Sequence, residues 1–193
     1  MTSEQQLYLE TFALYQECGA KFTMDELASR LSISKKTLYE LVRSKEDLVQ
    51  KALLYYFDLV AADQDAIRAD ASKNALQKLE RLLCVVPRLP LKDYRMKELK
   101  NCFPAAYQLL SRWLETGWEK TFAVLDAAKA EGFVESIDNV LFSKLYAYSM
   151  EGLMLERDSM STADFIVIQQ RAVAMLLRGV CTQAGREQIG SSN

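Results

Sequence analysis

The chain contains no histidine among its 193 residues. Histidine is the usual general base, the commonest metal ligand and the partner of serine and cysteine nucleophiles, so its absence argues against hydrolases and zinc enzymes. The sequence also lacks metal-ligand spacing, a phosphate-binding loop and any nucleophile-base arrangement. We therefore expect a protein that is not an enzyme and that has no cofactor and no metal site.

Glycine and proline are also scarce, with 7 and 3 residues respectively. The long stretches between them are rich in Ala, Leu, Glu, Lys and Gln, which favour helices over strands. Hydrophobic residues make up 50% of the chain, enough to build a substantial core. The composition predicts an all-α protein, and apolar spacing with capping residues indicates about nine helices.

Long apolar runs and paired cysteines are missing as well. No run approaches the ~20 apolar residues that cross a bilayer, and the N-terminus has no signal-peptide pattern, so we expect a cytoplasmic protein with no membrane partner. Four cysteines stand far apart without a CxxC spacing, and we expect them to be buried, reduced thiols. The formal net charge is −2, so contact with nucleic acid requires a local basic surface.

Two short helices are predicted to meet across a tight turn near the N-terminus. Gly19 stands where a first helix, over residues 4 to 18, would end. Thr23 and Glu26 have the spacing of a capping box that begins the second helix. Ser34 can cap a third helix. The apolar residues expected in their common core are Leu27, Leu31, Ile33, Leu38, Leu41 and Val42.

Later helices are predicted from apolar residues at helical spacing and from capping residues, among them Ser44, Asp138 and Ser161. A single helix is expected after Pro104, with a kink or close packing at Gly117, and only residues 1 to 3 and 185 to 193 are expected to fray. The predicted helices cover residues 45 to 70, 72 to 86, 92 to 102, 104 to 132, 138 to 158 and 161 to 183.

The third helix has an exposed face with basic character. Residues 30 to 45 contain five basic residues and one acidic residue, a local balance of +4. With the apolar side inward, a rotation of 100° per residue places polar side chains on the opposite face and its flanks. These side chains are Lys36, Thr37, Tyr39, Glu40 and Arg43. Such a face can enter the major groove of DNA.

Residues 7 to 55 resemble the DNA-binding region of the tetracycline-repressor (TetR) family of bacterial transcriptional regulators. The matching elements are the Gly19 stop, Thr23-Met24, Ala28, Ile33-Ser34, Thr37-Leu38-Tyr39 and Lys45. The resemblance implies an N-terminal three-helix helix-turn-helix head over residues 1 to 48. It also implies a helical ligand-binding and dimerisation body over residues 49 to 193. We expect a regulator, most often a repressor in this family, that binds a palindromic double-stranded operator as a homodimer and responds to a small-molecule effector.

The resemblance and the basic residues together predict the DNA contacts. Lys45, in the first turn of the long helix, is expected to hold a phosphate, as the corresponding lysine does in the family. Lys36 is expected to read bases, and Glu40 can accept a hydrogen bond from a cytosine amino group. The full predicted set is Thr23, Ser34, Lys35, Lys36, Thr37, Tyr39, Glu40, Arg43 and Lys45.

The chain departs from the family pattern at several positions. The loop from Gly19 to Thr23 is one residue short, and Ser32 occupies a turn position where glycine is usual. Val42 replaces the usual aromatic residue and should loosen the packing of the recognition helix. Residues 1 to 20 carry three Glu and no Lys or Arg, whereas relatives often have a basic arm there. We therefore expect modest DNA affinity.

The body supplies candidate residues for effector binding and for dimerisation. Aromatic and Met side chains suit a small, mostly apolar ligand. The candidate pocket residues are Tyr94, Met96, Phe103, Tyr107, Trp113, Trp118, Phe122, Tyr146 and Met150. Small residues permit close helix approach and apolar residues can form a seam. The candidate interface residues are Leu145, Tyr148, Ser149, Gly152, Leu155, Ile166, Val173, Leu177 and Val180. For each residue, ordinary packing within one chain is the competing interpretation.

A second hypothesis is a helical interaction protein whose head no longer binds DNA. The missing basic arm and Val42 favour it, whereas the coincidence of helix spacing, local charge and family pattern favours the regulator.

Overall fold

A computed structural model of the protein describes residues 4–85, 93–155 and 161–189, without the side chains of residues 93–96, 154, 155 and 162. These residues form eleven α-helices and a short 3₁₀ helix, and within the described ranges no β-strand is present. The predicted all-α fold is confirmed, with two more helices than the sequence indicated. None of the described helices is long and apolar enough to cross a membrane.

The helices follow one another through short connections. The 3₁₀ helix Gly19–Lys21 lies between the first two α-helices. The α-helices are α1 Glu4–Cys18, α2 Met24–Arg30, α3 Lys35–Leu41, α4 Lys45–Ala69, α5 Ala75–Leu83, α6 Asp93–Cys102, α7 Pro104–Thr116, α8 Glu119–Ala130, α9 Asn139–Leu155, α10 Thr162–Val180 and α11 Gln183–Gln188.

The predicted helix caps are present. Thr23 Oγ1 accepts a hydrogen bond from the Glu26 N–H at 3.1 Å, and the Glu26 carboxylate accepts one from the Thr23 N–H at 2.7 Å. This reciprocal pair satisfies two backbone donors at the start of α2. Side chains cap the starts of α3, α4, α9 and α10 at Ser34, Ser44, Asp138 and Ser161.

The helix predicted over residues 104 to 132 is in fact two helices. α7 ends at Thr116 and α8 begins at Glu119, with Gly117 in the break. Glycine weakens a helix interior by about 1 kcal/mol relative to alanine, which makes it a favourable place for the chain to turn. The start of the following helix also needs correction, because the prediction placed it at residue 72, whereas α5 begins at Ala75 and is capped by Asn74.

The C-terminal region also differs from the prediction, because α11 forms where fraying was expected. Thr182 caps this helix, and Ile189 is buried in the core. Gly185 packs so closely that a Cβ there would lie 2.1 Å from the Phe133 carbonyl oxygen. Close backbone packing therefore holds the segment in place up to Ile189.

Contacts divide the chain into two compact units. The first comprises Met1–Val60 and Arg88–Glu115, and the second comprises Ala61–Pro87 and Thr116–Asn193. The predicted head, residues 1 to 48, lies within the first unit, and its boundary stays a prediction.

Each unit has its own buried residues. In the first, Leu7, Leu27, Leu38, Leu48 and Leu53 are among the side chains most completely removed from solvent. The core of the second comprises Ala75, Leu76, Leu79, Leu83, Leu125, Ala128, Val134, Phe142, Val173, Leu177, Cys181 and Ile189.

The cysteines do not all match the expectation of buried thiols. All four are free, but only Cys181 is buried, while Cys84 is partly buried and Cys18 and Cys102 are exposed. Cys18 and Cys102 are the last residues of α1 and α6, where side chains meet solvent at helix ends. Burial raises the pKa of Cys84 to about 11, which keeps that thiol protonated and weakly reactive.

Candidate nucleic-acid interface

The turn between α2 and α3 is fixed by a Schellman motif. Ile33 N–H donates to the Ala28 carbonyl at 3.0 Å, and Ser32 N–H donates to the Ser29 carbonyl at 3.1 Å. This pattern requires the residue after the helix cap to adopt the left-handed backbone conformation, and Ser32 does so with φ +53°. Ser32 thus adopts the geometry that glycine supplies at this position in the family.

The apolar side of α3 is narrower than predicted. Leu38 and Val42 are buried, but Leu41 is exposed, so its predicted place in the core is wrong. The reason is that α3 ends at Leu41 and the chain becomes extended at Val42, with φ −137°. The extended conformation turns Val42 into the core although helical spacing no longer applies.

Eight of the nine predicted DNA-contacting residues are exposed: Thr23, Ser34, Lys35, Lys36, Thr37, Tyr39, Glu40 and Arg43. Most lie on α3 or within two residues of its ends. Ser34 Oγ and Thr37 Oγ1 are 2.8 Å apart, so these hydroxyls also bond to each other in the free protein. The arrangement offers hydroxyl, cationic and carboxylate groups on one short helix.

Acidic side chains outside residues 30 to 45 neutralise part of the local basic charge. Arg30 forms a two-pronged hydrogen-bonded pair with Glu17 on α1, and the Glu10 carboxylate lies 3.9 Å away. Hydrogen bonding to Arg30 lowers the pKa of Glu17. Lys35 pairs with Asp25 on α2 at 2.9 Å, which raises the pKa of Lys35.

Two cations of this surface form no salt bridge with a described residue, although the backbone N–H of one of them, Arg43, donates to the Asp47 carboxylate at 2.9 Å. Among the described side chains, Lys36 and Arg43 are exposed and take part in no salt bridge. The net charge of +4 counted over residues 30 to 45 therefore overstates the positive charge that is available to bind a phosphate. The count over residues 30 to 45 missed these pairs because the partners of Arg30 and Lys35, Glu17 and Asp25, lie 13 and 10 residues earlier in the chain, outside the counted segment.

Lys45 lies in a different environment from the one its predicted role suggests. Its ammonium donates to the Ala20 carbonyl at 2.6 Å and to the Phe22 carbonyl, and it lies 4.2 Å from the centre of the Phe22 ring. Burial lowers the pKa of Lys45. In the free protein this ammonium is held inside the first unit and is not presented to solvent like Lys36.

The predicted pocket residues are distributed over both compact units. Phe103, Tyr107 and Trp113 belong to the first unit and Trp118, Phe122, Tyr146 and Met150 to the second, while the side chains of Tyr94 and Met96 lie outside the described residues. Trp113 stacks on Phe57, with ring centres 4.7 Å apart. Trp118 contacts the Tyr146 ring edge-on at 5.4 Å and stacks on Phe122 at 5.7 Å.

A cavity of about 10 Å³ lies between α1 and α4 and contains none of the predicted pocket residues. Thr11 supplies a hydroxyl to its wall, but that hydroxyl donates to the Leu7 carbonyl at 2.7 Å. The space suffices for about one water molecule. It is a packing gap and not an effector site.

The second unit also contains a buried polar cluster that the sequence did not reveal. The Leu83 carbonyl at the end of α5 accepts hydrogen bonds from the Tyr146 hydroxyl at 2.7 Å and from Gln169 Nε2 at 3.4 Å. Gln169 is only 4% exposed, and within the described residues its Oε1 has no hydrogen-bond partner. Burial raises the pKa of Tyr146 to about 12, so its hydroxyl stays protonated as a donor.

The predicted interface residues fall into two groups. Leu145, Tyr148 and Ile166 are exposed, whereas Val173 and Leu177 are fully buried in the core of the second unit, so their predicted place in an intersubunit seam is wrong. The remaining residues Ser149, Gly152 and Val180 are exposed or partly buried, and the Leu155 side chain lies outside the described residues.

The amino-acid sequence is similar to that of a known protein. No protein-family model matches the chain. The chain is 28% identical over 149 residues to the uncharacterized HTH-type transcriptional regulator YvaF of Bacillus subtilis (strain 168), covering 76% of this chain and 78% of that protein. It is thus similar to a helix-turn-helix regulator over most of its length.

Two solved structures share the fold. The ketosteroid transcriptional regulator KstR2 of Mycobacterium tuberculosis matches with TM-score 0.71 and 18% identity, covering 95% of this chain and 97% of that chain. A TetR transcription regulator from Haloarcula marismortui matches with TM-score 0.74 and 15% identity, covering 93% and 98%. The chain has the fold of TetR-family transcriptional regulators, and the resemblance predicted from residues 7 to 55 is confirmed. All three of these similar proteins are described as transcriptional regulators.

The left-handed conformation of Ser32 generates a stability prediction. Substitution Ser32→Gly should stabilise the protein by about 1 kcal/mol, because glycine adopts positive φ without the Cβ clash. The melting temperature should rise by about 2–4 °C in thermal unfolding followed by circular dichroism. Gly132 ends α8 in the same motif with φ +78°, so Gly132→Ser is the matched reverse substitution and should lower it. A fall with Ser32→Gly would contradict this account of the turn.

Proposed function

We propose that this protein is a transcriptional regulator that binds a palindromic operator as a homodimer, most simply as a repressor, with α3 in the major groove of each half-site. The observation that carries the proposal is the α2–turn–α3 unit, which exposes Lys36 on α3 and Arg43 just beyond its end, neither of them in a salt bridge within the described residues. A helix of this kind reads base edges while flanking groups contact phosphates. Such a regulator acts in the cytoplasm, where bacterial DNA lies.

The exposed groups suggest a division of roles at the interface. Lys36, in the first turn of α3, is suited to donate to guanine, and Glu40 one turn later can accept from a cytosine amino group. Arg43 lies just beyond α3 and is suited to a phosphate contact. The Lys35–Asp25 pair is exposed, and exposed pairs are weak, so a phosphate can compete for the Lys35 ammonium.

Selection from a random pool of duplex DNA tests the DNA-binding proposal. The wild type should enrich a palindrome, and Lys36→Ala should weaken the base preference at one position of each half-site by about 1–3 kcal/mol. Lys144→Ala, which removes an exposed lysine of α9, is the charge-matched control and should leave the enriched sequence unchanged. Failure to enrich any palindrome would overturn the proposal and favour an interaction protein whose head does not bind DNA.

The proposed dimer rests on an exposed apolar stripe along α9. Leu141, Leu145 and Tyr148 are 58%, 51% and 69% exposed and recur at helical spacing on one face. Gly152 continues this face, and a Cβ added there would meet nothing within 4 Å. A second copy of the chain would cover these side chains by packing α9 against its counterpart, with Ile166 on α10 beside it.

Substitution Leu145→Glu should convert the protein from a dimer into a monomer, because a carboxylate in the seam would be buried without a partner. Sedimentation velocity at micromolar concentration measures the change. Lys144→Glu places the same charge on the neighbouring exposed position, turned about 100° away, and should leave the dimer intact. A wild type that sediments as a monomer would contradict the proposed interface directly.

We further propose that the second unit binds a small, mostly apolar effector that alters operator affinity. The support is the contact of Trp118 with the rings of Phe122 and Tyr146, together with Gln169, which binds the same carbonyl as Tyr146 and whose buried Oε1 lacks a donor within the described residues. Pockets for apolar ligands combine such walls with a few polar groups that orient the ligand. A ligand hydroxyl or amine that donates to Gln169 Oε1 would satisfy it. KstR2, the similar structure described above, is a ketosteroid regulator.

Replacing this carboxamide separates its role in effector binding from its role in stability. Gln169→Leu removes the unsatisfied acceptor together with the long 3.4 Å hydrogen bond to the Leu83 carbonyl, which keeps its bond from Tyr146, so the stability of the free protein should change by no more than about 1 kcal/mol. The same variant should lose any reduction of DNA affinity that a steroid or fatty-acid panel causes in the wild type, measured by fluorescence anisotropy. Gln170→Leu, at an exposed neighbouring position, is the control. A Gln169→Leu protein that still responds would refute the anchoring role.

A further inference from the structure

We propose that Asp25 is a positioning residue that competes with DNA phosphate for Lys35, so that Lys35 contacts a phosphate on the operator and stays paired on random DNA. The Lys35 ammonium donates to Asp25 Oδ2 at 2.9 Å. Lys35 is the first residue of α3, and Asp25 lies in the first turn of α2. This role of Asp25 rests on the proposed function, in which α3 enters the major groove.

The Lys35–Asp25 pair is close in distance but low in energy. Its two side chains are 52% and 68% exposed, and pairs this accessible to water contribute little to stability. The hydrogen bond to Asp25, together with the attraction of the Asp25 charge, raises the pKa of Lys35, so the ammonium remains charged. A phosphate that comes within hydrogen-bond distance can therefore replace the carboxylate, whereas a more distant phosphate cannot.

The distance from Lys35 to a phosphate depends on how closely α3 docks. On an operator, base contacts fix the register of the helix and bring its phosphate contacts to hydrogen-bond distance. On random DNA those base contacts are missing, and the complex is held mainly by charge. Because the attraction between charges falls with distance, Asp25 at 2.9 Å keeps the ammonium in that looser complex.

The neighbouring Lys36 shows what the carboxylate changes. Lys36 is exposed, and within the described residues it takes part in no salt bridge. It therefore has no competitor to displace and can attract any duplex. α3 thus begins with one cation that is available only where the groove fits and one that is always available.

A purely structural role for Asp25 leads to a different expectation. A carboxylate in the first turn of a helix stabilises that helix through its dipole, and Asp25 occupies this position in α2. Loss of that interaction would lower the melting temperature and weaken binding to every duplex. Loss of a competitor for Lys35 has the opposite effect on affinity, because binding becomes stronger.

Asp25→Asn distinguishes the two roles, since it removes the charge and keeps the size of the side chain. Affinity for a random-sequence duplex should rise about two- to fivefold. The slope of log affinity against log salt should steepen on that duplex by about 0.9, the value for one phosphate contact. Affinity for the operator selected by the wild type should also rise, but its slope should stay the same, because Lys35 already contacts a phosphate there. Fluorescence anisotropy over a series of salt concentrations measures both.

Asp58→Asn is the matched control, because it removes one exposed carboxylate of the same unit. Asp58 lies on α4 about 20 Å along the helix from its first residue. Surface charges act weakly beyond a Debye length of about 10 Å at 0.1 M salt, so both slopes should match the wild type. Unchanged or weaker binding of the random duplex by Asp25→Asn, or an unchanged slope, would overturn the competition. An operator slope that steepens as well would also contradict it, since Lys35 would then be withheld from both duplexes.

Amine labelling tests the pair without DNA. Asp25 raises the pKa of Lys35 in the wild type, so Asp25→Asn should increase the fraction of neutral amine and the labelling rate at Lys35, while Lys36 keeps its rate. An unchanged rate at Lys35 would show that the pair does not form and would overturn the role of Asp25 alone. A wild type that binds no duplex would instead refute the regulator, and the role of Asp25 with it, even where labelling confirms the pair.

Discussion

The candidate DNA-binding surface depends on the backbone geometry of four residues between α2 and α3. The two Schellman hydrogen bonds, onto Ala28 and Ser29, stop α2 and set the direction in which α3 leaves. Each of these helices has seven residues, too few to be stable in isolation. Their caps, the turn and a few buried side chains must therefore supply what helix propensity does not. Without the left-handed conformation of Ser32, the exposed face of α3 would have no fixed direction relative to α2.

The charge of the first 48 residues also limits how strongly this surface can attract DNA. The first 48 residues contain 6 basic and 8 acidic residues, so the surface cannot attract DNA through net charge. The pairs of Arg30 with Glu17 and of Lys35 with Asp25 hold two cations next to carboxylates in the free protein. Binding a phosphate must compete with these contacts. Affinity then depends strongly on how well the few remaining groups fit a particular groove, which favours selective over general binding.

Local features of the fold were predictable and distant contacts were not. Thr23, Ser34 and Ser44 were identified as caps because capping involves residues only three positions apart, and the structure contains each cap. The position of Leu41 was wrong, because helical spacing placed it beside Leu38 in the core, whereas Leu41 is the last residue of α3 and is exposed. Gly185 looked like part of a loose end because its packing partner, the Phe133 carbonyl, is 52 residues away. Each of these errors involves a contact or a helix end that the local pattern does not encode.

The residues of the candidate sites likewise divide into those whose environment the local sequence predicts and those whose environment depends on distant contacts. Exposure of Lys36 followed from helical periodicity, which needs only the neighbouring residues, whereas Arg43 is exposed although it lies beyond the end of α3. The environment of Lys45 depends on carbonyls that become its neighbours only when the connection after α1 folds back onto α4. Val173 and Leu177 were assigned to an interface because an apolar stripe on a helix is the same in sequence whether it faces its own core or another chain. Only the packing of α10 against α5 decides between them.

The buried polar cluster of the second unit connects the two remaining parts of the proposed function. Tyr146 is on α9 and Gln169 is on α10, and both bind the same carbonyl at the end of α5. α9 also carries the exposed stripe of Leu141, Leu145 and Tyr148 that we propose as the dimer seam. A ligand donor bound to Gln169 would change the hydrogen bonds that hold α9 and α10 to α5. Because these bonds set the relative position of α9 and α10, an effector at this cluster would act first on the geometry of the dimer, and the spacing of the two recognition helices would follow from it.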